Sequence, residues 1–538
     1  MKRRYLITIG LITFTAGLFG QSQIELPDLT TVVQGDDSVF VTAENPDFDD
    51  IITIPEGSTP LVPQLPQVQE QQAGNLINVE EKPEVKSIFA EGQIGGGYPA
   101  AFIGDFSISR ITGDSPFKLG FSHRSEAGYS ANPLSAGFNS KNTSISLRKD
   151  YNGKSVFWSA GGNYEDCGNG LQSLQPEIAS INQQDVSLFG QLEWSLPKNL
   201  RLIARADSDI YNRYADISNS SLICEDWIKK LDVLTATPIL GLVWTKNDFS
   251  VSTTARYNIL SDLSGNAAGS VVNRGRFELS AGWFNKYISV ATMAAAVIGN
   301  SIGNNPVLVP FTVNFSAAFP VPFSDRNVSI VMGGGMKSQL SDIRTLEKKY
   351  KFTGFNFIPS ETSDWNGNIT LSVPVKTMLS FNLSAVYLQT AFGNGVLEPD
   401  YVNSFNTGIY GFTVKNRQQL STNAGLSYHY KVFSASAAFK SQWMDVPVLD
   451  VKHKLAAAVA VQSLEDKWGA NVETELFFDG DDRTPVINMK GFWQLTPAVK
   501  LELNVLDFCK LVDDNSRIYA GNYISDSGSV TMLVKFLF

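Results

Sequence analysis

From about residue 87 onward, the chain is an unbroken series of short segments in which apolar and polar residues alternate. Because strand side chains point alternately to two faces, each segment predicts a strand with one apolar face. A segment has about 10 residues, the length that a tilted strand needs to cross a bilayer. Typical apolar positions are Phe433, Ala435, Ala437 and Phe439 in one segment and Phe249, Val251, Ala255 and Tyr257 in another.

The connections between these segments fall into two classes. Long, irregular connections are expected around residues 212–231, 339–362 and 389–416, and short turns lie between them. Short turns at one end and long loops at the other are typical of outer-membrane barrels. With both barrel ends on the short-turn side, ten short turns predict an all-β fold, a closed antiparallel transmembrane β-barrel of about 22 strands over residues 87–538. The turns are predicted near residues 113–114, 152–153, 197–199, 246–248, 285–286, 320–324, 374–377, 430–431, 465–466 and 496–497.

The two ends of the chain suggest the same compartment. Three basic residues precede an apolar run over residues 5–19, which predicts a secretory signal peptide in residues 1–20. Residues 529–538 alternate to the end and resemble the closing strand of bacterial outer-membrane barrels. In those proteins the barrel-assembly machinery reads the terminal aromatic residue, so Phe536 and Phe538 are the expected assembly signal. We therefore expect a bacterial outer-membrane location.

Composition excludes several other classes. The formal net charge of -10 argues against nucleic-acid binding. Beyond residue 20 no apolar run reaches the length of a membrane-spanning helix. Three cysteines, three histidines and no paired CxxC motif make a structural zinc site improbable, and no cofactor is expected. Cys167 and Cys224 are both expected in long loops, either as free thiols or as a disulfide.

Residues 21–86 differ from the rest of the chain. They are rich in proline, glutamine and acidic residues, which predicts an extended periplasmic arm. Residues 37–43, with the sequence DSVFVTA, resemble a TonB box, the segment by which TonB-dependent transporters couple to TonB through strand addition. The alternative is a chance match. The resemblance implies a TonB-like partner and makes Asp37, Val39, Phe40, Val41 and Thr42 the candidate partner-binding residues.

The strand count also resembles the barrel of TonB-dependent transporters. That family places a plug domain of well over a hundred residues before the barrel, whereas only about 45 residues separate Ala43 from the first strand here. A plugless barrel is therefore expected. The segment 24–33 is similar to the N-terminal segments of spirochaete outer-membrane proteins. A wide barrel without an occluder would leak, so the arm, inward-folded loops or a partner must fill it.

Two sets of residues have predicted positions in the barrel. Five tryptophans near the short turns are expected to form an aromatic girdle at the periplasmic interface: Trp194, Trp244, Trp283, Trp468 and Trp493. Charged residues on the polar face are expected to line the lumen, where they either set channel selectivity or pair across strands. The lumen candidates are Arg201, Arg205, Asp207, Arg256, Arg274, Arg276, Glu278, Glu473, Glu475, Lys500 and Glu502.

The leading functional hypothesis is solute passage or uptake across the outer membrane by a plugless transporter or porin. The alternative is a structural anchor in which the arm recruits a periplasmic partner. No signature of a hydrolase or nucleotide-binding enzyme appears, so no enzymatic activity is expected. His453, with Asp450 nearby, is the only candidate for a catalytic histidine on the rim.

Overall fold

The computed structural model describes residues 88–537 except for short gaps. The gaps are residues 112, 129–131, 175–177, 218–225, 267–270, 303–306, 323, 356, 358–359, 376–377, 403–404, 407, 479–483, 513–517 and 526–527. The predicted signal peptide, the arm with its partner-binding segment, Cys224 and Phe538 lie outside the described residues. The barrel belongs to one compact unit, Val85–Phe538.

One antiparallel sheet of 22 strands dominates the described residues. The strands are β1 Ile88–Tyr98, β2 Ala100–Arg110, β3 Phe117–Ala127, β4 Asn139–Asn152, β5 Val156–Gly170, β6 Ile178–Leu196, β7 Leu200–Ile217, β8 Lys230–Lys246, β9 Phe249–Asp262, β10 Val271–Phe284, β11 Ile288–Gly299, β12 Phe311–Val321, β13 Ser324–Leu340, β14 Glu361–Val375, β15 Leu379–Thr390, β16 Gln418–Tyr430, β17 Phe433–Met444, β18 His453–Gln462, β19 Trp468–Phe477, β20 Val486–Thr496, β21 Val499–Leu506 and β22 Ser529–Leu537.

The last strand closes the sheet into a barrel. β22 pairs with β21 on one side and with β1 on the other, where Lys535 lies opposite Gln93. The predicted fold and strand number are confirmed. A short connection lies at each of the ten predicted places, and together these connections define what we call the short-turn end. The opposite end carries the longer connections, including 341–360, 391–417 and 507–528, and we call it the long-loop end; the one-residue turn between β1 and β2 is its exception.

Alternation places apolar side chains on the outer surface of the barrel. On β2, Phe102 and Phe106 are 47% and 52% exposed, while Asp105 between them contacts Gln93 and Ser122 on neighbouring strands. A closed barrel pairs its backbone groups between strands, which lipid requires, and the apolar outer face meets the lipid. Within the described part of the chain, no helix combines the length and apolarity needed to cross a membrane.

Short secondary-structure elements occupy the longer connections. The helices are α1 Asp226–Lys229, α2 Ile343–Lys349 and α3 Phe508–Val512, and two 3₁₀ turns span Leu134–Ala136 and Asn300–Ile302. Small ladders pair Val396–Pro399 with Phe412–Lys415, Phe405–Asn406 with Ile409–Tyr410, and Ile518–Ala520 with Tyr523–Ile524. Helix α2 begins after Asp342, whose side chain accepts a hydrogen bond from the Arg344 amide at 3.2 Å.

Three neighbouring strands form a tall stretch of the barrel wall, and β13 elsewhere in the sheet equals β8 with 17 residues. Strands β6, β7 and β8 have 19, 18 and 17 residues, against 11 in β2 and β3. Since about 10 residues cross a bilayer, these strands continue past the membrane at the long-loop end. Their extensions provide a surface on which loops can pack.

The main apolar core lies at this end and is formed by loops packed on the tall wall. We call the described residues of loops 341–360, 391–417 and 507–528 the cap. Burying one large apolar side chain contributes about 1.5–3 kcal/mol, so this packing holds the cap in place. In one cluster the wall gives Tyr211, Leu231, Val233, Leu260 and Val272, and the cap gives Ile343, Tyr350, Phe355, Leu397 and Phe412. A second cluster joins Leu171, Ile178, Ile181 and Ile228 to Phe352, Ile409, Tyr410 and Tyr523 of the cap.

Candidate functional site

Contacts with α2 identify the inner face of β7. Arg344 Nη1 lies 2.8 Å from Asp209 Oδ1 of β7 and 3.2 Å from Asp185 Oδ2 of β6. Helix α2 belongs to the connection between β13 and β14, so it reaches β6 and β7 only through the interior. Arg201, Arg205 and Asp207 share the face of Asp209 because side chains on a strand repeat with period two.

Further lumen candidates lie on β9 and β10, where contacts across the lumen identify the inner face. Arg274 of β10 pairs with Glu361 of β14 at 2.7 Å, and Arg276 donates to the Ser338 carbonyl of β13 at 3.0 Å. Neither β13 nor β14 neighbours β10 in the sheet, so these contacts pass through the lumen. Arg256 lies opposite Arg276 in the register and shares this face.

Most of these charges have a partner of opposite sign. The pairs are Arg201–Glu193 at 3.2 Å, Arg205–Asp207 at 2.9 Å, Arg276–Glu278 at 2.9 Å, Lys454–Glu475 at 2.9 Å, and Glu502 with Lys490 at 3.2 Å and Lys535 at 2.8 Å. Glu473 accepts from Asn471 at 2.7 Å, and Lys500 Nζ lies 3.6 Å from the centroid of the Phe492 ring. This geometry is that of pairing within and across strands, with no strong excess of one sign.

The five girdle tryptophans lie beside short connections. Trp194, Trp468 and Trp493 are exposed, and Trp468 lies opposite Trp493 in the sheet register. Trp244 and Trp283 are half-buried near the ends of β8 and β10. An aromatic girdle at the short-turn end remains our interpretation of this arrangement. Phe536 is half-buried in β22.

One face of helix α2 carries two cations that contact acidic residues of the wall. Arg344 and Lys348 are four residues apart and therefore share a face. Lys348 Nζ lies 2.6 Å from Glu165 Oε2 of β5 and 3.5 Å from Asp185 Oδ2. Both cations retain partial exposure, 28% for Arg344 and 25% for Lys348. This face of α2 is therefore held by ion pairs whose cations remain partly exposed, although their shared partner Asp185 is buried.

The adjacent position on α2 is held by a fully buried ion pair. Glu347 and Arg213 have no exposed side-chain surface, and their charged atoms are 3.1 Å apart. The Tyr211 hydroxyl and the Phe355 amide also donate to the Glu347 carboxylate, the amide at 2.8 Å. Burial raises the pKa of Glu347, while Arg213 and the two donors act against that shift. This contact ties the cap to β7.

A polar groove opens along β1–β4 and the adjoining ends of β20–β22. It has a volume of about 520 Å³ and begins at the short-turn end, beside Gln494, Pro497 and Lys535. Serines of β2, β3 and β4 line it together with Glu91 and Asp105. A smaller cavity of about 330 Å³ follows towards the long-loop end and is lined by Ser122, Arg124, Asn142, Ser144, Asn163 and Glu165.

The predicted cysteine and histidine candidates have other environments. Cys167 lies within β5 and not in a loop, because that strand continues to Gly170; its Sγ is 3.3 Å from Glu165 Oε1. Cys167 and Cys509 are free thiols. His453 Nδ1 lies 3.1 Å from the buried Ser441 hydroxyl, while Asp450 contacts Lys440 and Gln442. Among the described residues, no cluster of three or more His, Cys, Asp or Glu side chains could hold a metal ion.

The sequence interpretation did not identify the residues that hold the cap. Arg344, Glu347 and Lys348 lie in the connection 341–360, which the sequence predicts only as long and irregular. A local signal was present: Asp342 is a good N-cap residue, and charged residues four apart follow it within residues 342–349. Arg213 and Asp185 have no local signal, because the residues with which they form ion pairs lie more than 130 residues away in the chain.

No protein-family profile matches the chain, and no curated protein matches it. Solved structures do share its fold. The copper transporter OprC is 12% identical with a TM-score of 0.58, covering 84% of this chain and 80% of that one. The FrpB iron transporter from Neisseria meningitidis (F3-3 variant) is 8% identical with a TM-score of 0.61, covering 85% and 82%. The siderophore receptor PirA from Pseudomonas aeruginosa is 8% identical with a TM-score of 0.59, covering 85% and 81%.

At these identities the likeness concerns the fold. This chain has the 22-strand barrel architecture of TonB-dependent outer-membrane transporters. The closed barrel and its apolar outer face fit a bacterial outer-membrane location.

Proposed function

We propose that this barrel mediates the passage of hydrophilic solutes across the outer membrane, with the cap as the element that closes the lumen. The main support for the proposal is that the two ends of the lumen differ. A polar groove opens at the short-turn end, whereas loops pack into the long-loop end. The transporters and receptors that share the fold support the class of activity, but no solute is carried over from them.

The arm gives this proposal a way to couple to energy. Residues 37–43 resemble a TonB box, and such a segment binds by adding a strand to the edge of a partner sheet. We propose a TonB-like periplasmic protein as the partner, bound through Val39, Phe40 and Val41. Since no solute is required for this contact, it is testable separately from transport.

The transport proposal is tested by removing the cap. Replacement of residues 341–360 by a short Gly-Ser linker should raise single-channel conductance in planar bilayers several-fold over the parent chain. The matched control replaces loop 445–452, which contributes no residue to the two main core clusters. Heat-modifiable migration on gels shows that each variant retains its barrel. Absence of conductance in both parent and cap-shortened barrels would refute a pore.

The coupling proposal is tested with the arm. A peptide of residues 21–86 should bind the periplasmic domain of a TonB protein, and Val39→Pro should weaken binding at least tenfold because proline blocks strand pairing. Val32→Pro, outside the segment, is the control and should bind as the parent peptide does. If the arm binds while all barrels stay closed to solutes, the structural anchor becomes the better function.

A further inference from the structure

The two cavities on the β1–β5 side of the lumen form one continuous groove. They share Ser122 and Ser144 in their linings, so the smaller cavity continues the larger one. Glycines and serines of β1–β4 leave room between the wall and the lumen axis, and charged side chains of both signs also line the groove. The groove runs from Lys535 at the short-turn end to Glu165 on β5, whose carboxylate forms part of the lining of the smaller cavity.

Glu165 is also where α2 contacts this wall. Lys348 reaches it with an N–O distance of 2.6 Å, so the cap and the groove meet at one ion pair. Cys167, two residues along β5, hydrogen-bonds to the same carboxylate and lies on the same strand face. A thiol is therefore positioned at the contact between the groove and α2.

The two contacts of α2 differ in how strongly they hold. The partly exposed pair of Lys348 and Glu165 contributes little net free energy and weakens as salt is added. Breaking the buried Arg213–Glu347 pair costs far more, because one charge is left unpaired in the interior. Hence the contact of Lys348 breaks before that of Glu347.

We infer that the groove along β1–β5 is the solute route and that the Lys348–Glu165 ion pair is the contact that closes its long-loop end. Opening separates Lys348 from Glu165 while the Arg213–Glu347 pair keeps α2 attached to β7. This inference rests on the proposed transport function. It adds to that function a route, a closing contact and a dependence of opening on ionic strength.

The first test follows the position of α2 with Cys167 as the reporter. In full-length protein carrying Cys224→Ser and Cys509→Ser, the rate of labelling by N-ethylmaleimide is measured over a pH series and expressed per thiolate, because charge changes beside Cys167 also change its thiolate fraction. Lys348→Glu should raise this rate at least tenfold, since the new carboxylate then faces Glu165 and Asp185. The charge swap Lys348→Glu with Glu165→Lys restores one attraction and should lower the rate at least threefold from that of Lys348→Glu. Lys349→Glu makes the same charge change on the same helix and should leave the rate unchanged.

Three outcomes would overturn the closing contact: no change in Lys348→Glu, an equal rise in Lys349→Glu, or no recovery in the charge swap. Labelling does not depend on transport. If the labelling pattern holds while every barrel fails to conduct, the closing contact stands and the transport function fails.

The second test concerns the route. In the Lys348→Glu barrel, Ser122→Trp should reduce conductance at least threefold by filling the groove. The control is Ser436→Trp, a similar enlargement of a serine on the inner face of β17, far round the barrel from β3. Equal reductions from both substitutions, or none from Ser122→Trp, would show that solutes pass elsewhere.

Discussion

The two ends of the lumen are built from the same strands and yet have opposite characters. On β7, Arg205 and Asp207 form a pair that is 35% and 24% exposed, while Arg213, eight residues on, is completely buried against Glu347. Both arginines lie on the inner face. The position along the strand, and what packs there, decides whether an inward charge is solvated or enclosed.

This difference shows that barrel closure and lumen closure have separate physical causes. The barrel is closed because each strand pairs its backbone groups with two neighbouring strands, and β22 pairs with β1. The proposed closure of the lumen has another cause: three loops bring aromatic and aliphatic side chains onto the tall wall and the adjoining strands β9 and β10. A change that opens the cap should therefore leave the strands intact, and the following predictions use that separation.

The largest effect is expected from the buried pair. Arg213→Ala should destabilise the packed cap by about 3–5 kcal/mol, because it leaves Glu347 charged and enclosed without its cation. Hydrogen exchange, resolved to peptides of residues 341–360, measures the loss of protection. The expected result is fast exchange in the cap with unchanged protection in the β16–β18 strands.

Arg205→Ala on the same strand and face is the matched control. Its ion pair is partly exposed, so the change should cost less than about 1 kcal/mol and leave the cap protected. Similar effects of the two substitutions would show that the two ends of the lumen are not distinct in energy.

A second prediction concerns Gly521, in the small hairpin of the cap. Its φ of 56° is left-handed, and a Cβ there would overlap the hydroxyl of Tyr410. Gly521→Ala should cost about 1–3 kcal/mol through overpacking, with roughly 1 kcal/mol more from the backbone. The cap should become more sensitive to limited proteolysis, while the barrel resists it.

Gly393 separates the two contributions. It also has a positive φ, of 72°, but no atom lies within 4 Å of an added Cβ. Gly393→Ala therefore carries only the backbone cost of roughly 1 kcal/mol. If Gly521→Ala were no more harmful than Gly393→Ala, the packing of this hairpin against Tyr410 would not matter for the cap.

A third, smaller effect is expected from alkaline pH. Burial raises the pKa of Tyr401 and Tyr523 in the cap. The packed cap therefore holds the two phenol protons more tightly than an open cap does. The stability that this contributes to the cap is fully present below the ordinary phenol pKa of about 10 and is lost as the pH rises above it. Near-ultraviolet circular dichroism should lose its aromatic signal above about pH 10. In Tyr401→Phe and Tyr523→Phe variants this loss should move to higher pH.

These tests also separate what the sequence predicts from what it does not. Strand number and turn positions follow from a local period of two, as in residues 433–439, and the structure confirms them. The cap depends on contacts between distant segments, such as Gln172 with Ile524. No local pattern encodes which of several long loops will fold inward. The groove cannot be predicted from the sequence either. Inward-facing serines alternate with apolar residues in the same way as any other polar residues on the inner face of a strand.

The smallest effect is expected at the short-turn end, where Glu465 and Lys467 pair 2.5 Å apart with side-chain exposures of 71% and 68%. Lys467 lowers the pKa of Glu465. Any stabilisation by the pair is therefore present at neutral pH and is lost as the pH falls through the lowered pKa of Glu465. Solvent and salt screen such an exposed pair. Glu465→Gln should therefore leave both thermal unfolding of the barrel and hydrogen exchange of the cap unchanged. A measurable shift in cap exchange would show that the short-turn end is coupled to the cap through the strands, contrary to the separate closure of lumen and barrel.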